Sequence, residues 1–150
     1  MNNEKSIVEL FEENELKISQ LYALYSDKFP DQKEFWENIS EEEIIHAQEI
    51  SKLLSEIKDC FVENKFSRGV IKYVSDFVEK QIEIAKDGNL SLSDAFNSAL
   101  RIEQSILEKK CFEMFIPTTV TIKEVLERLN RDTDRHARLL RAELKKIQPS

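Results

Sequence analysis

The chain has 150 residues, a formal net charge of −7 at pH 7, and only two glycines and three prolines. A chain of this length can bury a substantial core, so we expect one domain over residues 1–150. So few helix breakers favour long helices over short strands. The net negative charge argues against nucleic acid or an anionic membrane surface as a partner, because such binding depends on clustered lysine and arginine.

The N-terminal residues favour a cytoplasmic protein. The stretch MNNEKSIVELFEE has acids where a signal peptide needs an apolar core, and no uncharged apolar run is long enough to span a bilayer. Cys60 and Cys111 belong to no CxxC pair, so neither a zinc knuckle nor a rubredoxin-type iron site is encoded. We expect both cysteines to be reduced thiols near helix ends.

The first predicted helix runs from about Ser6 to Lys28. The FPD sequence at 29–31 ends it, because proline lacks a backbone donor and restricts the residue before it. Apolar residues recur along one face at intervals of three and four, and Glu15 occupies a position on that face. The apolar members of the face are Phe11, Ile18, Tyr22, Tyr25 and Phe29.

The second predicted helix covers about 32–59, and its apolar face contains two polar residues. Glu43 and His46 lie on this face three residues apart, so their side chains project to the same side. The apolar members of the face are Trp36, Ile39, Ile50, Leu53 and Ile57. Three neighbouring acids point elsewhere, and we expect them to remain in solvent: Glu41, Glu42 and Glu49.

Residues 61–90 form a predicted connection with a helix of its own at about 67–87. One face of this segment is apolar, and Gly88 is placed to end it. The sequence leaves open whether this helix packs beside the others or exchanges into a partner chain.

A third core helix is predicted to begin near SLSDAF, where Ser91 or Ser93 can cap it. It extends to about Phe115, and Glu103 lies on its apolar face. The acid therefore occupies the same kind of position as the acid of the first helix.

The last predicted helix covers about Thr121 to Ile147, with Thr133 and His136 on its apolar face. The sequence HARLLRAEL from His136 aligns with HAQEISKLL from His46, sharing His-Ala, a later aliphatic residue and a final leucine. The second half of the chain therefore repeats the first.

The spacing of the inward acids follows the same repeat. Glu15 precedes Glu43 by nearly the same interval that separates Glu103 from Thr133. Two similar helix pairs joined by a long crossover are typical of a four-helix bundle. The sequence thus predicts an all-α fold, an antiparallel four-helix bundle whose long crossover carries an additional helix.

Three acids and two histidines at one level of such a bundle would lack partners. An ionised carboxylate in an apolar core is costly unless something compensates its charge. Divalent iron or manganese provides that compensation, because carboxylate oxygens and imidazole nitrogens suit these metals and a carboxylate can bridge two ions.

This pattern resembles the ferritin-like di-iron carboxylate proteins, and rubrerythrin in particular. In that family two helices each supply one glutamate and the other two each supply a Glu-x-x-His motif. The stretch ELKISQLYALYSDKFPDQKEFWENISEEEIIHAQ is similar to the first half of rubrerythrin, including Tyr22. The resemblance implies two iron ions, or manganese or zinc in the same site, bound by Glu15, Glu43, His46, Glu103 and His136.

The chain departs from the family pattern in three respects. Thr133 stands where the second motif should have glutamate, and Ile106 replaces a further acid of rubrerythrin. We also expect no rubredoxin domain of the kind that follows the bundle in rubrerythrin. Asp132, Asp134, water or an exogenous carboxylate are the alternatives for the missing ligand.

The resemblance implies an oxidoreductase that reduces peroxide or dioxygen with electrons from a separate donor protein. In this interpretation Glu43 bridges the metals and the two histidines are terminal ligands, while Glu15 and Glu103 are terminal or bridging. Chains of this family commonly pair, so a homodimer is an option, although no feature of the sequence demands it.

Two other classes of function stay open. One is a non-catalytic ferritin-like module that holds a metal for storage, delivery or sensing, which Thr133 favours. The other is a metal-free helical interaction domain that keeps its polar residues as a hydrogen-bonded network.

Overall fold

The computed structural model describes residues 6–56, 65–108 and 120–147. Every regular element in these ranges is helical, which confirms the predicted all-α class. The five α-helices are α1 (Ile7–Lys28), α2 (Lys33–Glu56), α3 (Lys65–Asp87), α4 (Leu92–Glu108) and α5 (Val120–Ile147). Within the described ranges, no helix combines the length and the apolar character that crossing a membrane requires.

Local chemistry sets both ends of α1. The Ser6 side chain accepts a hydrogen bond from the backbone N–H of Glu9 and so caps the first turn. At the other end the N–H of Phe29 donates to the carbonyl of Tyr25, and a short 3₁₀ turn over Pro30–Gln32 leads into α2. The proline that ends the predicted helix therefore ends the observed one.

The start of α4 resolves the choice between two capping serines. The Oγ of Ser91 accepts from the N–H of Asp94 at 3.0 Å, and the Asp94 carboxylate accepts from the N–H of Ser91 at 3.3 Å. This reciprocal pair is a capping box with aspartate in the acidic position. Gly88, with φ of +92°, lies just beyond α3, where most side chains would be strained.

The helices pack as a connected set in one chain. α1 and α2 form an extensively packed hairpin, and α4 packs against α5. α3 lies against α1 and α4, so the connecting helix is accommodated by the helices of its own chain. The backbones of α2 and α5 approach each other at few positions, and the candidate site includes residues of both helices.

A cluster of aromatic rings fills the core on one side of the site. Trp36 stacks on Phe96 with ring centroids 4.9 Å apart and meets the edge of Tyr25 at 4.8 Å. Tyr22 joins the cluster 5.7 Å from Trp36. These buried rings hold α1, α2 and α4 together and keep water away from that side of the site.

Some predictions lie outside the described residues. These are the two cysteines, the extension of the second helix to Asp59 and the extension of the third core helix to Phe115.

Candidate metal centre

α1 and α2 bring one glutamate each, and one histidine, to the same buried place. Glu15, Glu43 and His46 are each about 1% exposed. The Nδ1 of His46 lies 3.7 Å from Oε2 of Glu15 and 3.5 Å from Oε2 of Glu43. Because Glu43 and His46 are separated by three residues on one helix, the backbone itself directs both side chains towards Glu15.

α4 and α5 supply the second set of buried groups. Glu103 and His136 are at most 1% exposed, and the Nδ1 of His136 lies 3.5 Å from Oε1 of Glu103. The phenol of Tyr22 donates to the same Glu103 oxygen at 2.9 Å, which fixes the carboxylate from the side of α1. The imidazole rings of His46 and His136 lie with their centroids 5.8 Å apart.

Glu43 belongs to both sets. Its Oε1 accepts a hydrogen bond from Nδ1 of His136 at 3.0 Å, while its Oε2 faces His46. Two groups of three potential ligands therefore share one carboxylate, and within each group the ligand atoms lie within 4.8 Å of one another. The groups are Glu15, Glu43 and His46, and Glu43, Glu103 and His136.

Several buried polar atoms of the cluster form no hydrogen bond with one another and are available to bind a cation. Both carboxylate oxygens of Glu15, Nδ1 of His46 and Oε2 of Glu103 are buried without a hydrogen-bond partner. Each unpartnered buried group of this kind costs about 1–3 kcal/mol. Divalent ions such as iron, manganese or zinc accept this combination of oxygen and nitrogen donors, so the residues present fit a metal pair.

Acids from the opposite helix hold the outer edge of each histidine. The Nε2 of His46 on α2 lies 3.1 Å from Oδ2 of Asp132 on α5, and the Nε2 of His136 on α5 lies 3.2 Å from Oε2 of Glu42 on α2. A carboxylate accepts only, so each Nε2–H donates and each Nδ1 faces the cluster. Such carboxylate–histidine pairs orient the ring of a metal ligand.

These outer acids differ from the sequence expectation. Glu42 and Glu49 were expected in solvent, and that expectation was wrong for both. The carboxylate of Glu42 is partly buried against His136, and that of Glu49 is partly buried and paired with Arg128 of α5. Asp132 contacts the outer nitrogen of His46 and is not in the ligand groups, and Asp134 forms an exposed ion pair with Arg138. One signal in the sequence was available: Asp132 and Glu42 each stand four residues before a histidine.

Thr133 lies on α5 at the position where the resemblance implies a fourth carboxylate. Its side chain is buried, and its hydroxyl donates to the backbone carbonyl of Leu129 at 2.9 Å. The hydroxyl therefore belongs to its own helix. Three glutamates contribute at most three negative charges, against four positive charges for two divalent ions.

The charges of the metal-free cluster are tightly linked. Burial lowers the pKa of His46, but the carboxylates of Glu15 and Glu43 outweigh it and raise that pKa to about 12. Burial likewise opposes charge on His136, and Glu103 and Glu43 raise its pKa to about 11. In the metal-free chain both imidazoles therefore carry protons that a metal must displace.

The two acids of the first helix pair have opposite shifts. Burial, reinforced by the charge of Glu43, raises the pKa of Glu15 well above its ordinary value. Burial and the charge of Glu103 also oppose ionisation of Glu43, but the neighbouring Glu15 and both histidines lower its pKa overall. Of these two carboxylates, the shared Glu43 is therefore the one whose ionised form is favoured, which suits a ligand common to two cations.

No family model, curated protein or solved structure matches this chain. The case for a function therefore rests on the geometry and chemistry of the buried residues.

Proposed function

We propose that this chain is a ferritin-like, rubrerythrin-like di-iron protein that reduces peroxide or dioxygen. The observation that carries the proposal is the shared position of Glu43 between two buried groups of metal-ligand type. A helical bundle that served only as a scaffold would not need five buried ionisable side chains at one level. Four polar atoms of these side chains have no hydrogen-bond partner. In this proposal α1, α2, α4 and α5 form the four-helix bundle and α3 is the helix of the crossover.

Each ligand has a distinct role in the proposed centre. Glu43 would contribute to both metal positions, because its two oxygens face different histidines. Glu15 and His46 would complete one position, and Glu103 and His136 would complete the other. Iron ions bound there would supply the electrons and the Lewis acidity for cleaving an O–O bond.

Aromatic residues around the cluster orient one of the carboxylates and exclude water. Tyr22 holds one oxygen of Glu103 by donating its phenolic proton, so the other oxygen is free to face a metal. The aromatic rings of Trp36 and Phe96 exclude water from the core between α2 and α4. In this proposal electrons come from a separate donor protein, as the resemblance to rubrerythrin implies.

An anaerobic Fe(II) titration of the apo-protein, followed by peroxide consumption by the reduced protein, tests this function. We expect about two iron ions per chain and several turnovers of peroxide when an electron donor is supplied. Glu43→Gln should abolish both results, while Glu13→Gln, an acid of α1 outside the cluster, should change neither. Stoichiometric iron binding without peroxide turnover would contradict the enzymatic proposal.

Thr133 supports a second candidate function. With one carboxylate missing from α5, the chain could hold a metal for storage, delivery or sensing without catalysing a reaction. This candidate predicts one strongly bound ion per chain, a second bound weakly or not at all, and no peroxide turnover. The Fe(II) titration distinguishes the two candidates directly.

A further inference from the structure

Arg135 joins the two acids that hold the histidines. Its guanidinium pairs with Glu42 through both terminal nitrogens, and one of these nitrogens also lies 3.5 Å from Oδ1 of Asp132. Glu42 contacts His136 and Asp132 contacts His46. Arg135 is therefore connected to both imidazole rings, to His136 through Glu42 and to His46 through Asp132.

The contacts cross between the helices. Arg135, Asp132 and His136 belong to α5, whereas Glu42 and His46 belong to α2. Each histidine is thus held by an acid of the other helix, and Arg135 is the group common to both acids. Without its charge, two carboxylates that lie close together would be free to turn towards solvent, since each is between a quarter and a third exposed.

We propose that Arg135 is a positioning residue that sets the ring orientation of both His46 and His136. Resting on the proposed metal-binding function, this role makes Arg135 a determinant of affinity at both metal positions, although its side chain is not one of the ligands. Asp132 then controls the position that contains His46, and Glu42 controls the position that contains His136.

The chain contains a matched control. Arg128 on α5 pairs with Glu49 on α2, and this pair lies seven residues from the Arg135–Glu42 pair on each helix. Both pairs join the same two helices, but only Arg135 is linked to the histidines. Arg128→Gln therefore removes a comparable ion pair without touching the proposed positioning network.

Arg135 is also a position where substitution is compatible with folding. Its side chain is 41% exposed and lines an open pocket of about 480 Å³ together with Glu42. Glutamine can extend into this space without disturbing the core. Arg135→Lys restores the charge but not the planar fork, so it should recover only part of the effect.

The first test needs no metal. The chain has only two histidines, so ¹⁵N NMR can follow both Nε2–H groups without ambiguity. We expect two exchange-protected Nε2–H signals in the unsubstituted chain, retained in Arg128→Gln and lost or broadened in Arg135→Gln. Asp132→Ala should remove only the His46 signal, and Glu42→Ala only the His136 signal.

The second test measures metal affinity by Co(II) titration, with the visible absorption of bound cobalt as the readout. Arg135→Gln should weaken binding about tenfold at both positions, the size expected for loss of a histidine-orienting group. A Glu103→Ala background isolates the position with His46, where Asp132→Ala should weaken binding and Glu42→Ala should not. Arg128→Gln should bind cobalt as the unsubstituted chain does.

The outcomes separate this role from the proposed function. If the unsubstituted chain binds no cobalt, the metal function is wrong, and the Nε2–H signals alone decide whether Arg135 orients the histidines. If the chain binds cobalt but Arg135→Gln matches Arg128→Gln in both tests, the positioning role is overturned while the metal function stands. Effects of Asp132→Ala on the His136 signal would refute the crossed arrangement.

Discussion

Glu43 is the residue on which both halves of the candidate site depend. One of its oxygens accepts from His136 and the other faces His46, and the negative charge of its carboxylate is favoured by both rings. Glutamine has nearly the same shape as glutamate and can occupy this position, but without the negative charge it cannot bridge two cations.

Substitutions of the glutamates should therefore have unequal effects. Glu43→Gln should abolish binding at both metal positions, whereas Glu15→Gln should weaken only the position that contains His46. Zinc binding followed by elemental analysis measures the number of ions retained. Two ions bound by the Glu43→Gln variant would show that Glu43 is not a shared ligand.

Thr133→Glu tests the missing carboxylate. In the metal-free chain a fourth buried acid should destabilise the fold by about 3 kcal/mol, because no cation compensates its charge. With zinc present the same substitution should increase metal affinity, since the added carboxylate completes the ligand set. Chemical denaturation with and without zinc measures both effects.

Thr133→Val is the control for that substitution. It removes the hydrogen bond to Leu129 without adding charge, so it should cost about 1 kcal/mol and leave metal affinity unchanged. Equal behaviour of the two variants in zinc would contradict the assignment of position 133 to the site.

The histidines predict how the stability of the metal-free chain depends on pH. Their folded-state pKa values of about 12 and 11 lie above the unfolded value of 6.5. The stabilisation they provide is complete below pH 6.5 and is lost as pH rises towards those folded-state values. The raised pKa of Glu15 has the same effect, because its contribution to the stability of the folded chain also falls as pH rises above the ordinary value of 4.5.

We therefore expect the thermal midpoint of the chelator-treated protein to fall between pH 7 and pH 9. Circular dichroism at a fixed ionic strength measures it. A His46→Gln, His136→Gln variant should show a shallower dependence on pH. A midpoint that stays constant or rises over this range would contradict protonated histidines in the folded chain.

Among the elements, α4 supplies Glu103 to the second half of the site. Ser91→Ala removes the hydroxyl that caps its first turn and should destabilise the chain by about 1 kcal/mol. Thermal unfolding measures the loss, and Asn97→Ala, at an exposed position of the same helix, should change stability little. Equal effects of both substitutions would show that the cap contributes nothing specific.

The helices were predictable because their signals are local. The proline after Phe29 and the glycine after α3 mark ends that depend on neighbouring residues alone. The inward positions of Glu15, Glu43 and Glu103 follow from helical periodicity, since residues on an apolar face are buried together.

The outer contacts of the histidines could not be predicted in the same way. Glu42 lies off the apolar face of α2, and it is partly buried only because α5 crosses beside it. The link from Arg135 to both acids likewise depends on how two distant helices are placed. The packing of α3 against α1 and α4 also required the three-dimensional arrangement.

For the whole molecule, the candidate centre is the place where two helix pairs meet. Its ligand groups draw on four helices: α1, α2, α4 and α5. The described contacts between α2 and α5 are largely ion pairs and hydrogen bonds, and bound metals would add coordination to these links between the two pairs. Function and folding stability are therefore expected to respond together to metal removal.

X-ray anomalous scattering from crystals of the iron- or zinc-loaded protein tests the central claim most directly. We predict two anomalous peaks, one among Glu15, Glu43 and His46 and the other among Glu43, Glu103 and His136, with Glu43 contacting both. A single peak would contradict the dinuclear centre and favour the binding module. Peaks located only outside this cluster would refute a metal role for the buried residues.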